Sequence, residues 1–272
     1  GQAEYQGAVN SHGHWTGRVA LVPERLEDPL KRKRPTVYFV DSMSDLFHES
    51  LDYRTIAQIF DVMVQADWHT YQVLTKRPER MPDFFTNFLR AWKHMPAPHI
   101  WLGTSVENQK AANERIPHLL RTPAAVHFLS CEPLLELLKL WLWLPINSGP
   151  MPEDENDIPE FTEIIWRREY NRPDLENLLQ WVILGCESGP QRRSMQLDWA
   201  RSLVDQCRAA DVPVFVKQLD IGGRVSKDPL EWPEDLQMRE FPARPSPAPL
   251  SPSKSTPTTL GSCALMPGQK RR

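Results

Sequence analysis

Ile100-Trp101-Leu102-Gly103-Thr104-Ser105-Val106-Glu107-Asn108 opens as a short apolar run and closes in polar and charged side chains. Five further stretches repeat that build. They are Val37-Tyr38-Phe39-Val40 before Asp41-Ser42, Tyr71-Gln72-Val73-Leu74 before Thr75-Lys76-Arg77, and Val126-His127-Phe128-Leu129 before Ser130-Cys131-Glu132-Pro133. The last two are Trp181-Val182-Ile183-Leu184-Gly185 before Cys186-Glu187-Ser188-Gly189, and Val214-Phe215-Val216 before Lys217-Gln218. Short apolar runs bounded by polar residues read as buried strands.

The stretches between the runs carry helical periodicity. Ile56, Ile59, Phe60, Met63 and Val64 recur on one face, and so do Met81, Phe84, Phe85, Phe88 and Leu89 within a helix expected from Arg80 to Trp92. Gln109 to Leu120 forms a third helix before Pro123. Asp198 to Ala210 forms a fourth, with Asp198 as its N-cap and Trp199, Leu203 and Cys207 on its buried stripe. Strands that alternate with helices predict the α/β class, and here an incomplete (β/α) barrel of about six parallel strands, TIM-barrel-like. In such barrels the chemistry sits where the strands end.

One barrel domain is expected over residues 1–242, with an insertion loop near 145–173, where Pro, Asp, Glu and Asn accumulate. Residues 243–272 are rich in Pro, Ser and Thr and are expected to be a disordered tail, because they have few large apolar groups to offset the entropy of ordering. Trp15 to Leu21 reads as a short strand and Leu26 to Lys31 as a helical turn. Lys31-Arg32-Lys33-Arg34 reads as a solvated loop.

The net charge of −3 over 272 residues is not that of a general nucleic-acid binder. Cys131, Cys186, Cys207 and Cys263 are scattered, with no C-x-x-C spacing. That usage predicts a reducing cytoplasm and thiols that behave as small buried hydrophobes. No apolar stretch has the roughly 20 residues of a membrane span, so no membrane partner is expected. The chain opens at Gly1 rather than Met, which suggests a fragment.

The strand-end residues are the functional candidates. Glu107, Glu132 and Glu187 stand at matching positions after three successive runs, two of which contain glycine. Three carboxylates gathered at one mouth would repel, so Lys76, Arg77 or Lys217 is expected to neutralise them. Lys76 and Arg77 together suit a carboxylate or a phosphate. Asp41, Asp45, His48 and Glu49 fall within nine residues after the first strand. They suggest either a metal or acid/base site or plain capping, in which Ser44 or Asp45 starts a helix and His48 is a turn residue.

Taken together, Phe39-Val40-Asp41-Ser42-Met43-Ser44-Asp45-Leu46-Phe47-His48, Val73-Leu74-Thr75-Lys76-Arg77-Pro78, Trp101 to Asn108, Ser130-Cys131-Glu132-Pro133-Leu134-Leu135 and Glu187-Ser188-Gly189-Pro190 resemble the phage gp-thirty-seven/gp-sixty-eight family. That family has no characterised function and looks like a divergent branch of the radical S-adenosylmethionine enzymes. The resemblance runs from about Tyr5 to Pro242.

The resemblance implies a [4Fe–4S] cluster and S-adenosylmethionine in intact relatives, the cluster being held by a C-x-x-x-C-x-x-C motif near the N-terminus. This chain has no such motif, which implies N-terminal truncation. By the same resemblance, Ser105, Glu107 and Asn108 contact the cofactor's ribose or amino group. Lys76 and Arg77 hold its carboxylate or a substrate phosphate, and Glu132, Glu187 and Lys217 line the substrate side as catalytic residues. The implied substrate is a nucleotide or nucleic acid. Two other classes remain open: a metal-dependent hydrolase or nuclease using the strand-end carboxylates, and a non-catalytic binding protein.

Overall fold

The computed structural model describes residues 19, 21–40, 44–88, 96–145 and 178–243. Two short helical turns, α1 (Pro23–Leu26) and α2 (Asp28–Lys31), lead into β1 (Val37–Val40). There follow α3 (Tyr53–Gln65), β2 (Thr70–Thr75), α4 (Arg80–Asp83), β3 (Ile100–Ser105), α5 (Gln109–Leu120) and β4 (His127–Cys131). The chain closes with β5 (Trp181–Gly185), α6 (Leu197–Ala209), β6 (Val214–Ile221) and β7 (Arg224–Ser226). Trp15 to Leu21 (except Val19 and Leu21), the insertion near 145–173 and the tail from 244 lie outside the described residues.

The seven strands form one sheet in the order of the chain, β1 to β7. The first six pair in parallel, and β7 returns antiparallel to β6. A doubly wound sheet reverses its strand order at a switch point. This sheet does not reverse, and it curls as a half-barrel. The strand count is therefore seven rather than six. The extra strand is a hairpin on Gly222-Gly223, whose φ angles of +57° and +79° suit a two-residue turn closed by the Ile221–Arg224 pair.

Each helix start and stop has a local cause. Asp52 caps α3 by accepting from Thr55 N at 2.7 Å, and Asn108 caps α5 by accepting from Ala111 N at 2.8 Å. The expected cap at Asp198 is corrected. Gln196 stands at that position without a side-chain bond, and Asp198 lies in the first turn, where it suits the helix dipole. The helix expected from Arg80 to Trp92 changes pitch at its fifth residue. After α4 the chain makes a π-helical turn, Phe84–Phe88, that keeps Phe84 and Phe85 buried.

Two apolar layers flank the sheet. On the helix side, Val73, Leu102, Leu129, Leu184 and Val216 pack with Ile56, Phe60, Ile116, Leu203 and Cys207. On the other side a smaller cluster joins Trp101, Val126, Phe128, Trp181 and Ile183, with Leu74 and Phe215 at its margin. Trp181 meets Trp101 edge-on at 5.8 Å and Phe128 at 5.6 Å. Fully burying an apolar side chain of this kind contributes about 1.5–3 kcal/mol, so these aromatics dominate the inner layer. Their strand alternation places Ser105, Ser130, Gly185 and Lys217 on the same inner face, nearer the strand ends.

Candidate functional site

The loops after β3, β4 and β5 are tied together through their backbones. Leu134 N donates to the Gly185 carbonyl at 2.9 Å, and Leu135 N donates to the Glu107 carbonyl at 3.0 Å. The segment after β4 is thereby held between its two neighbours, which brings Glu107, Glu132 and Glu187 to adjacent strand ends. Each carboxylate is about a quarter exposed or less.

These carboxylates do not share one counter-ion. Glu107 accepts from Arg115 at 2.8 Å, and the same guanidinium donates to the Ser105 carbonyl at 2.8 Å. Glu187 accepts from the Arg193 backbone N at 2.7 Å and from its guanidinium at 2.7 and 2.9 Å. That double grip from Arg193 holds the Glu187 carboxyl down at about 2. Glu132 accepts from Lys217 at 2.8 Å.

The expectation that Lys76, Arg77 or Lys217 would neutralise all three is thus corrected: only Lys217 does so, and only for Glu132. The other two cations sit on helix α5 and in the loop after β5. Arg115 could have been suspected from its place two turns into a helix that starts at a strand end, since long side chains on a helix lean toward its N-terminus.

Glu132 reaches Lys217 across an intervening strand. β4 and β6 both flank β5, and Gly185 ends β5 between them. A methyl group on Gly185 would stand 3.4 Å from Cγ of Glu132 and 3.3 Å from Cγ of Gln218. The missing side chain leaves room for the ion pair to lie over the strand end. Gly103 has a different role: a methyl there would meet the Phe128 ring at 2.5 Å, so that glycine makes space for core packing.

The remaining candidates divide in the same way. Asn108 has its side-chain oxygen on the α5 cap. Ser105 and Ser130 are register partners on β3 and β4, both 5% exposed, and their hydroxyls have no partner among the described residues. Lys76 is exposed, and its backbone N donates to Asp45.

Arg77 turns away to Asp45 at 3.0 Å and Glu49 at 2.7 Å. Asp45 also accepts from Phe47 N at 3.0 Å and the Thr75 hydroxyl at 2.5 Å. It therefore fastens the loop after β1 to the end of β2 instead of starting a helix. His48 holds the Ser50 turn through Nδ1, consistent with a turn residue. Asp41 lies outside the described residues. A cation the sequence reading passed over is Arg80, which donates to the Phe47, His48 and Leu51 carbonyls and covers the Tyr53 ring at 4.9 Å.

The described thiols do not fit an iron–sulfur cluster. Cys131, Cys186 and Cys207 are fully buried in the helix-side core, and no three His, Cys, Asp or Glu residues are grouped for a metal among the described residues. Burial pushes the Cys186 thiol up to about 11 and that of Cys207 up to about 12, and it raises Cys131 as well. Such thiols resist forming the thiolate that binds iron. No helix among the described residues is long and apolar enough to cross a membrane.

A family model described as a protein of unknown function (DUF5131) matches residues 2–240, so the chain belongs to that family. No curated protein and no solved structure matches it.

Proposed function

We propose that this chain is the barrel part of an enzyme that seats a small charged organic ligand on the inner strand-end rim of β3 to β6. The observation that carries this reading is the Glu132–Lys217 pair over Gly185, with Ser105 and Ser130, whose hydroxyls are unpartnered among the described residues, on the same inner face of the strand ends. Below that polar rim the inner face is closed by Trp101, Phe128 and Trp181, so a ligand approaches from the strand ends. Strand ends are also where barrels and other parallel sheets place their chemistry.

Within that class, the motif resemblance favours the radical S-adenosylmethionine type. Such a cofactor, when bound, would supply a carbon radical that abstracts hydrogen from substrate. The cluster would have to be held by thiols other than Cys131, Cys186 and Cys207, and no step is derived through it. Of the expected cofactor contacts, Ser105 and Lys76 keep their side chains uncommitted among the described residues, whereas Glu107, Asn108 and Arg77 already have partners.

The charge balance supports a small ligand over a nucleic acid. Among the described residues, Arg77, Arg115, Arg192, Arg193 and Lys217 are each paired at the strand ends with a carboxylate (Asp45 and Glu49, Glu107, Asp220, Glu187 and Glu132), which leaves Lys76 as the one uncommitted cation of the expected set. A polyanion needs a surplus of cations. The metal-dependent hydrolase reading has less support, because each rim carboxylate already has a cation.

Calorimetric titration of the wild type and of Lys217→Met with S-adenosylmethionine and a panel of amino acids and nucleotides tests the proposal. Binding that weakens in the variant supports it. Binding that is indifferent to Lys217 and to Ser130→Ala contradicts it.

A further inference from the structure

Among the described residues, five sets of ion pairs line the strand ends, and four of them are locked by further bonds. Asp45 holds two backbone N–H groups and a hydroxyl besides Arg77. Arg115 is fixed to the Ser105 carbonyl as well as to Glu107. Arg192 joins Asp220 at 2.6 Å and also donates to the Gly223 carbonyl. Glu187 takes the Arg193 backbone and side chain together.

Glu132–Lys217 is the exception. Their mutual bond at 2.8 Å is the sole hydrogen bond of either side chain among the described residues. Opening the other four sets breaks several charged hydrogen bonds at once, whereas opening this one breaks a single bond. The two halves also differ. The Glu132 side chain is 19% exposed and that of Lys217 is 53% exposed. Lysine can swing into water on its flexible stem. Glu132 cannot, and a half-buried carboxylate left without a cation is costly.

We propose that Glu132 and Lys217 form the recognition pair for a zwitterionic head of the α-amino-acid type, which inserts by exchanging partners. The inference rests on the rim being the ligand seat. The ligand's ammonium replaces the Lys217 amino group on Glu132, and its carboxylate is taken by the displaced Lys217. Neither protein charge is left alone. The Ser105 and Ser130 hydroxyls stand on the same inner face for the remaining ammonium hydrogens or carboxylate lone pairs. Gly185 puts no side chain against Glu132, where even a methyl group would stand only 3.4 Å from its Cγ, so the carboxylate stays free to exchange its partner.

The asymmetry in burial sets a ranking. A ligand with only an anion draws off Lys217 and strands Glu132. A ligand with only an ammonium satisfies Glu132 and releases Lys217 to solvent. The expected order of affinity is therefore zwitterion, then amine, then bare anion.

The test is an amide NMR titration of the isotope-labelled full chain with norleucine, pentylamine, hexanoate and inorganic phosphate. The spectra also report whether each variant is folded. Norleucine is expected to shift amides near Glu132, Gly185 and Lys217 and to bind roughly tenfold or more tighter than hexanoate or phosphate, as losing a charged hydrogen bond implies. Glu132→Gln should remove that preference, Lys217→Met should weaken it, and Lys217→Arg should retain it. Rim binding in which hexanoate or phosphate matches norleucine would overturn the zwitterion inference and leave the rim reading standing. Shifts confined to other parts of the chain, or no shift with any of the four, would overturn both.

Discussion

Replacing Gly103 with Ala tests the packing that supports the rim. A β-carbon at that position would sit 2.5 Å from Cε2 and Cζ of Phe128. Carbon atoms are comfortable at about 3.5–4.0 Å, so the ring would have to retreat by about 1 Å. It has little room to do so, because Phe128 is fully buried and leans on Trp181, itself 2% exposed. Overpacking of this kind costs typically about 1–3 kcal/mol. Against it stands the entropy that Gly→Ala removes from the unfolded chain, a gain of about 0.4–1 kcal/mol. The clash wins, with an expected net loss of about 1–2 kcal/mol.

In a domain of this size that loss lowers Tm by roughly 2–8 °C. Urea unfolding of Gly103→Ala, of Phe128→Leu and of the double variant measures it. Phe128→Leu alone should cost about 1–2 kcal/mol through the volume it empties. The double variant should cost less than the two singles added, because the smaller side chain makes way for the methyl. Gly185→Ala, with contacts of 3.3–3.4 Å, should cost about 1 kcal/mol or less. A Gly103→Ala protein within about 0.5 kcal/mol of wild type, or strictly additive singles, would refute the reasoning.

Arg80→Met should lose the three carbonyl contacts and the stacking on Tyr53, lowering stability by about 2–3 kcal/mol and speeding amide hydrogen exchange in the 47–51 loop. Burial lowers the folded-state titration of His127 and His99, so both stay neutral in the fold while the unfolded chain takes up protons below about pH 6.5. Stability should therefore fall between pH 7.5 and 5.5, read as a lower urea midpoint, and His127→Gln should flatten that slope. Glu187 titrates far below this window and leaves it undisturbed. Iodoacetamide at pH 8 should leave Cys131, Cys186 and Cys207 unmodified in the native chain and label all three after denaturation, as peptide mass spectrometry would show.

The six parallel strands were legible because each is a short apolar run with a charged end, a pattern set by burial on both faces at the centre of the sheet; the edge strand β1 carries it although Val37 and Phe39 are exposed. The helix Gln109–Leu120 was legible to the residue, since Asn108 supplies a polar cap and the apolar spacing is regular. The seventh strand was missed because Arg224-Val225-Ser226 is too short to carry an alternation, although Gly222-Gly223 before it is a hairpin signal. The π-helical turn leaves no mark in the sequence: Phe84, Phe85 and Phe88 read as one apolar face, yet Phe84 and Phe85 are buried while Phe88 is 47% exposed.

Of the site, the strand-end positions were legible and the partners were not. Arg193 reaches Glu187 through loop geometry that sequence spacing does not encode, Arg115 is marked only by the lean of a helical side chain toward the strand end, and Asn108 reads equally well as a contact residue and as a cap. Gly103 and Gly185 look alike in sequence, yet one gives way to a core ring and the other to a rim ion pair.

The central claim is that the inner rim of β3 to β6 is where this chain meets its ligand. Its most direct measurement is a crystal structure of the chain soaked with norleucine, with S-adenosylmethionine in a parallel soak. The account predicts electron density over Gly185, between the separated Glu132 carboxylate and Lys217 amino group. Ligand density away from the strand ends, with the Glu132–Lys217 bond intact, would contradict it.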